Sequence, residues 1–143
     1  MEVEKFYPAG NNARSRHSFY SSPFSTNRED RAMAGQFENG IDLNELFIRN
    51  KPSTFFMQVT GSSMCKANID EGDILVVDRS IKARSGSIVI AVVEGDMLLR
   101  RLEKTMNKTR LIAESAKIAT MEMSDLNELQ VWGVVTFVIK QVG

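Results

Sequence analysis

From Ser53 to the C-terminus the sequence is a succession of short apolar runs separated by turn residues, with no proline after Pro52. Thr54-Phe-Phe-Met-Gln-Val-Thr60, Asp73-Ile-Leu-Val-Val-Asp78 and Ser87-Ile-Val-Ile-Ala-Val-Val93 are each too short for a core helix and rich in β-branched or aromatic residues. Glu94-Gly95-Asp96 reads as a tight turn, with Met97 to Leu102 as the returning strand of a hairpin. Arg110 to Ala113 is a weaker strand, and Val131 to Val142 is long and apolar. Proline removes a ladder donor, so its absence suits an uninterrupted set of paired strands. Strands and turns without a long helix predict an all-β body.

The first forty residues have a different character. They are rich in Ser, Asn and Arg, hold Pro8 and Pro23, and show no steady period. The aromatics Phe6, Tyr7, Phe19, Tyr20 and Phe24 argue against a wholly solvated tail. The reading is an extended N-terminal arm over residues 1–40, whose aromatics dock on the body or on a partner, and a folded domain over 41–143. At their junction Leu43, Leu46 and Phe47 have helical spacing, with Asp42 as N-cap and Glu45 three residues on. A short helix is expected there, ended by Pro52.

Composition bounds the function. Lys+Arg and Asp+Glu are 18 each, which argues against a protein whose work is gripping a phosphate backbone. With Cys65 and His17 alone of their kinds, neither an internal disulfide nor a usual zinc ligand set can be assembled, and a reducing compartment is expected. No cofactor is expected. The N-terminus lacks the apolar core of a signal peptide, and no apolar run approaches membrane-spanning length, so the expected location is the cytoplasm.

The distinctive stretch is Val59-Thr-Gly-Ser-Ser-Met-Cys-Lys-Ala-Asn-Ile-Asp-Glu-Gly-Asp-Ile-Leu-Val-Val-Asp78. Gly61 allows a sharp exit from a strand, and a serine in the turn behind it can be held and aimed. Gly61, Ser63, Met64, Ile69, Gly72, Asp73, Val77 and Asp78 fall on the pattern G-x-S-M…I-x-x-G-D-x-x-x-V-D. Gly86-Ser-Ile-Val-Ile-Ala91 and Val131-Trp-Gly-Val-Val135 continue it without gaps. In these residues the chain resembles the LexA/UmuD family of self-cleaving serine peptidases, and Ile41-Asp-Leu-Asn-Glu-Leu46 resembles the UmuD-like type in particular.

The resemblance implies a curved, mainly antiparallel β body and a Ser–Lys dyad, in which a neutral lysine takes the serine proton and the serine attacks a bond in the protein's own arm. Ser63 matches the nucleophile, but the base position falls on Arg100. Arginine stays protonated and offers donors without an acceptor, so it is not a general base at neutral pH. Arg101 should point to the other face of the strand. Lys104 shares the parity of Arg100 but lies roughly 13 Å further along an extended strand, so it can substitute only if a bulge shifts the register. The family cuts Ala-Gly or Cys-Gly. Ala34-Gly35 is the candidate bond, closer to Ser63 than usual; Asn27-Arg28 stands at the usual distance without matching; Ala9-Gly10 lies far upstream.

Other residues read as structural: Cys65 as a buried thiol, His17 as a surface residue, Asp70, Glu71, Asp73 and Asp78 as turn residues rather than a metal site, and Met97, Leu99, Val93 and Trp132 as packing. The UmuD-like resemblance implies an SOS-response accessory protein, a homodimer that associates with the RecA–DNA filament and a Y-family DNA polymerase, without sequence-specific DNA contact or membrane. Residues 1–40 are too short for the helix-turn-helix domain of a repressor. The alternative keeps the fold as a non-cleaving binding module, which Arg100 favours. A signal-peptidase relative would need an anchor. Ser63 is expected at a strand end facing Arg100 across a cleft, and the strand from Val131 is expected to be an edge covered in a homodimer.

Overall fold

The run Ile74-Leu-Val-Val-Asp78 is buried at four of its five positions, as an apolar strand with neighbours on both sides must be. The computed structural model describes residues 2–9, 40–123 and 129–143. In chain order the elements are β1 (Val3–Pro8), α1 (Leu43–Phe47), a 3-10 turn (Lys51–Ser53), β2 (Thr54–Val59), a second 3-10 turn (Cys65–Ala67), β3 (Ile74–Asp78), β4 (Ile88–Val93), β5 (Asp96–Lys104), β6 (Thr109–Ile112), β7 (Met121–Met123) and β8 (Leu129–Ile139). The strands form one sheet in the order β1-β2-β3-β8-β4-β5-β6-β7, and every pairing is antiparallel. The mainly β, curved antiparallel body is thus as expected.

Local chemistry explains the joints. Val93 pairs with Asp96, leaving Glu94 and Gly95 as a two-residue loop with φ of 50° and 86°. Two successive positive φ values define a type I′ turn, whose twist matches the flanking strands and whose second position favours glycine. In α1, Asp42 accepts a hydrogen bond from the Asn44 N–H at 2.9 Å, which supplies the expected cap. The helix buries none of its residues; Phe47 stands edge-on to Phe137 of β8.

The strand β8 is not an edge. It lies between β3 and β4 and pairs with both, which corrects the expectation of an edge to be covered by a second copy. A long apolar strand looks the same in sequence whether it is central or exposed at a margin. The sheet margins among the described residues are β1 and β7. Two irregularities bend β8. Thr136 is the extra residue where Val76 and Val77 pair with Phe137 and Val135, and Trp132 is the extra residue where Ile90 and Ala91 pair with Gly133 and Val131. Bulges of this kind increase local twist and curl a sheet.

Curling gives both faces of β4 something to bury. Ile90 packs with Val3, Met57, Val59, Met64, Ile69, Leu75, Val77 and Leu99, while Val89, Ala91 and Val93 pack with Leu102, Leu111, Met123 and Val134. The expected core residues Leu99 and Val93 are buried, with Met97 partly so. Trp132 is packed edge-on to Phe55 at 5.1 Å between centroids, with the Arg79 guanidinium 4.4 Å over its ring.

At the end of β3, Asp78 is 3% exposed and accepts from Ser53 Oγ, Ser80 Oγ and Ser80 N–H. Burial pushes its carboxyl up, but the hydrogen bonds from Ser80, Ser53 and Asn50 outweigh it and hold its pKa below the ordinary 3.8. A carboxyl depressed on folding contributes stability that is complete above its unfolded value and is lost as pH falls through its folded value. Asp78→Asn is therefore expected to lose about 1 kcal/mol at pH 7. The gap to wild type should narrow below the ordinary carboxyl pKa of 3.8. Urea unfolding at a series of pH values checks this; a gap that is constant down to the acid transition would remove the assigned role of the ionised form.

Candidate active site

β2 ends at Val59, and Gly61 turns the chain with φ of 89°, a conformation that favours glycine. The turn that follows is pinned from below by Met64, which is 1% exposed and whose sulfur accepts from the Glu114 N–H. Met64 and Glu114 thereby fix the position of Ser63, itself 3% exposed. Ser63 Oγ lies 3.1 Å from Glu2 Oε2 and 3.3 Å from the Leu99 carbonyl, two acceptors between which its single proton is shared. Arg100, on β5, is 5% exposed, and its Nη1 donates to the same Leu99 carbonyl at 2.8 Å and the same Glu2 oxygen at 2.5 Å. The fold therefore brings Ser63 and Arg100 onto two shared acceptors. Among the described residues, Arg100 Nε is a buried donor without an acceptor.

Chemically, the arrangement brings a carboxylate and a guanidinium to the serine, and no lysine amine among the described residues. Arg100 presents donors only. Glu2 Oε2 receives three donors, from Ser63, Arg100 and the Leu99 N–H at 2.9 Å, more than the two lone pairs of one oxygen can serve well. Lys104 is exposed, and β5 runs against β4 from Asp96 to Arg101 without a register shift. Arg101 turns to the other side, where it bonds Glu114 Oε1 and the Gly86 carbonyl.

Cys65 is exposed rather than buried, with Sγ 3.8 Å from the Glu114 carbonyl, which corrects the expected buried thiol. It lies in a 3-10 turn, where alternation gives no guide to facing. Asp73 accepts from the Asp70 N–H, and Lys140 Nζ bonds Asp70 and Asp73 at 2.7 and 2.6 Å. The hydrogen bonds to Asp70 and then Asp73 raise the Lys140 pKa above its ordinary 10.5. These carboxylates tie the β8 end to the turn before β3. Ala34-Gly35, Asn27-Arg28, His17 and Gly10 lie outside the described residues; Ala9 is buried, its N–H bonded to the Thr54 carbonyl.

Residues 23–136 match the family model described as Peptidase S24-like. The chain belongs to that family. Among curated relatives, MucA of Escherichia coli is 32% identical over 137 residues, covering 95% of this chain and 92% of MucA. ImpA of Shigella flexneri is 35% identical over 103 residues, covering 71% of this chain and 69% of ImpA. The LexA repressor of Clostridium acetobutylicum is 36% identical over 75 residues, 52% of this chain but 36% of the repressor. The S24-like membership agrees with the signature on which Ser63 sits. Sequence reasoning missed Glu2, because nothing in an aperiodic N-terminus points to a partner 98 residues away. No described helix is long and apolar enough to cross a membrane.

Proposed function

We propose that the chain is a UmuD-like accessory protein of the SOS response, a cytoplasmic homodimer serving error-prone DNA synthesis, in which the peptidase site is retained as a fold and does not cut efficiently at neutral pH. The observation that carries this reading is Arg100 buried beside Ser63 on common acceptors: among the described residues no lysine amine touches the hydroxyl, and the Glu2 carboxylate that does is already engaged by Arg100. The match over 92% of MucA, against 36% of the LexA repressor, supports the MucA-like type. The partners that fit this role are the RecA–DNA filament and a Y-family DNA polymerase. Contact with them is through protein surfaces, in keeping with the balanced charge. Because β8 is internal, a homodimer built on it would use exposed side chains such as Val138 rather than a free edge.

The test is the denatured intact mass of the chain after incubation with RecA, single-stranded DNA and a nucleotide. The expected result is the full 16.0 kDa species after hours. Efficient, Ser63-dependent conversion to fragments would overturn the non-cleaving reading. A loss of all association with RecA and with polymerases of the Y family would overturn the accessory role.

A further inference from the structure

The residue that completes the buried site comes from the far end of the chain. Val3 is wholly buried, paired with Val59 and packed in the core beside Met64 and Leu99. Glu2, one residue before it, is held at both ends of its backbone: its N–H donates to the Met97 carbonyl at 3.1 Å and its carbonyl accepts from the Thr60 N–H at 2.8 Å. Its side chain then reaches the three donors of Ser63, Leu99 and Arg100.

The reason a side chain fits there lies in β5. Strand β6 pairs with β5 only from Arg101 to Lys104. Before Arg101, the side of β5 away from β4 is paired with no strand among the described residues, and the Met97 carbonyl, the Leu99 N–H and the Leu99 carbonyl face that side. Buried backbone groups need partners. Glu2 N–H takes the first, Glu2 Oε2 takes the second, and Arg100 takes the third, with the Ser63 hydroxyl also in reach of it. Arg100 meanwhile is a buried cation, and a cation out of water needs a counter-charge. Among the described residues, Glu2 is the carboxylate paired with it.

We propose that Ser63, the Leu99 N–H and Arg100 form a carboxylate-binding site whose ligand is the side chain of Glu2, so that the residues at the family's catalytic positions anchor the N-terminal strand. The ligand class is a carboxylate carried on an extended strand. Glu2 also fills the lane beside β5 that an incoming peptide would need in order to reach Ser63, so a substrate strand must displace it. The proposal rests on the reading of Ser63 and Arg100 as one site and adds what that site binds. Anchoring is measured by hydrogen exchange and cutting by mass, so each can fail while the other stands.

The experiment is residue-resolved amide exchange on the full chain at neutral pH, comparing wild type with Glu2→Ala, Glu2→Gln and Glu4→Ala. Removing a charged hydrogen-bond acceptor should speed exchange of the Leu99 and Thr60 amides roughly ten- to hundred-fold. The Leu102 amide, bonded to the Ser87 carbonyl, should be unchanged in Glu2→Ala and serves as the internal reference for intact folding. Glu4→Ala, two residues further on in β1 with an exposed side chain, should leave all three at wild-type rates. Glu2→Gln keeps the shape but leaves Arg100 without its counter-charge, and should fall close to Glu2→Ala. Wild-type exchange at Leu99 and Thr60 in Glu2→Ala would overturn the anchor. Wild-type exchange in Glu2→Gln alone would overturn recognition of a carboxylate. Equal effects of Glu2→Ala and Glu4→Ala would reduce the result to strand charge and equally overturn the site.

Discussion

Arg100→Lys in the full chain is expected to give, at most, weak self-cleavage, abolished again by adding Ser63→Ala. A positioned base contributes about two to four orders of magnitude in rate. Lysine can supply it only when its amine is neutral, which requires a desolvated site without an opposite charge. The site has the burial, since Arg100 is 5% exposed, but it also holds the Glu2 carboxylate, which would keep a lysine there protonated. The double variant Arg100→Lys/Glu2→Ala should therefore cut faster than Arg100→Lys alone, by a factor that fragment mass spectrometry over hours can read. Equal rates in the two would show that the carboxylate does not restrain the amine. If neither cuts, the arm bond is at fault, and Asn27→Ala with Arg28→Gly, which places Ala-Gly at the family's usual distance, is the next change. Rapid wild-type cleavage that needs Ser63 would show that another group serves as base.

Gly133→Ala is expected to destabilise the fold by about 3 kcal/mol, the upper part of the range for overpacking a core. Gly133 lies in β8 opposite Ile90, and a Cβ built on it would stand 2.6 Å from Val77 Cγ1, a wholly buried β-branched side chain that cannot swing aside. For a chain of this size the melting temperature should fall by roughly 6–12 °C. The mechanism is checked by a double-mutant cycle with Val77→Ala. Shortening Val77 removes the clash, so Gly133→Ala should cost much less in that background than in wild type. Additive effects would show that the strain lies in the backbone of β8 rather than between these two side chains.

The parts of the fold that could be read from the residues are those with local signals. β2 to β5 follow from apolar runs bounded by turn residues, and the hairpin at Glu94-Gly95 follows from a loop whose chemistry permits positive φ. The approach of Ser63 to Arg100 was legible through the signature, because the turn after β2 and the strand β5 hold matching positions. β1 was not legible as a strand. Its register slips between Glu4 and Tyr7, so the period-2 alternation that marks a strand is broken in a segment of six residues. β7, with three residues, offers too little pattern to detect. The central place of β8 and the outward turn of Cys65 depend on pairing and on loop geometry, which side-chain periodicity does not encode. Glu2 belongs to the same group: its role arises from sheet closure between the two ends of the chain.

The position of β1 ahead of Ala34-Gly35 bears on what a cut in the arm would produce. Four residues paired with β2, a buried Val3 and the bonds of Glu2 hold this strand to the body independently of the peptide link between residues 10 and 39. Hydrolysis within that link would leave a nicked assembly of two polypeptides, with the short one still threaded along the margin of the sheet. Such a species would keep its native hydrodynamic size and separate only on denaturation. Shedding of the leading peptide would then be a second event, governed by how fast β1 peels from β2 rather than by the chemistry at Ser63.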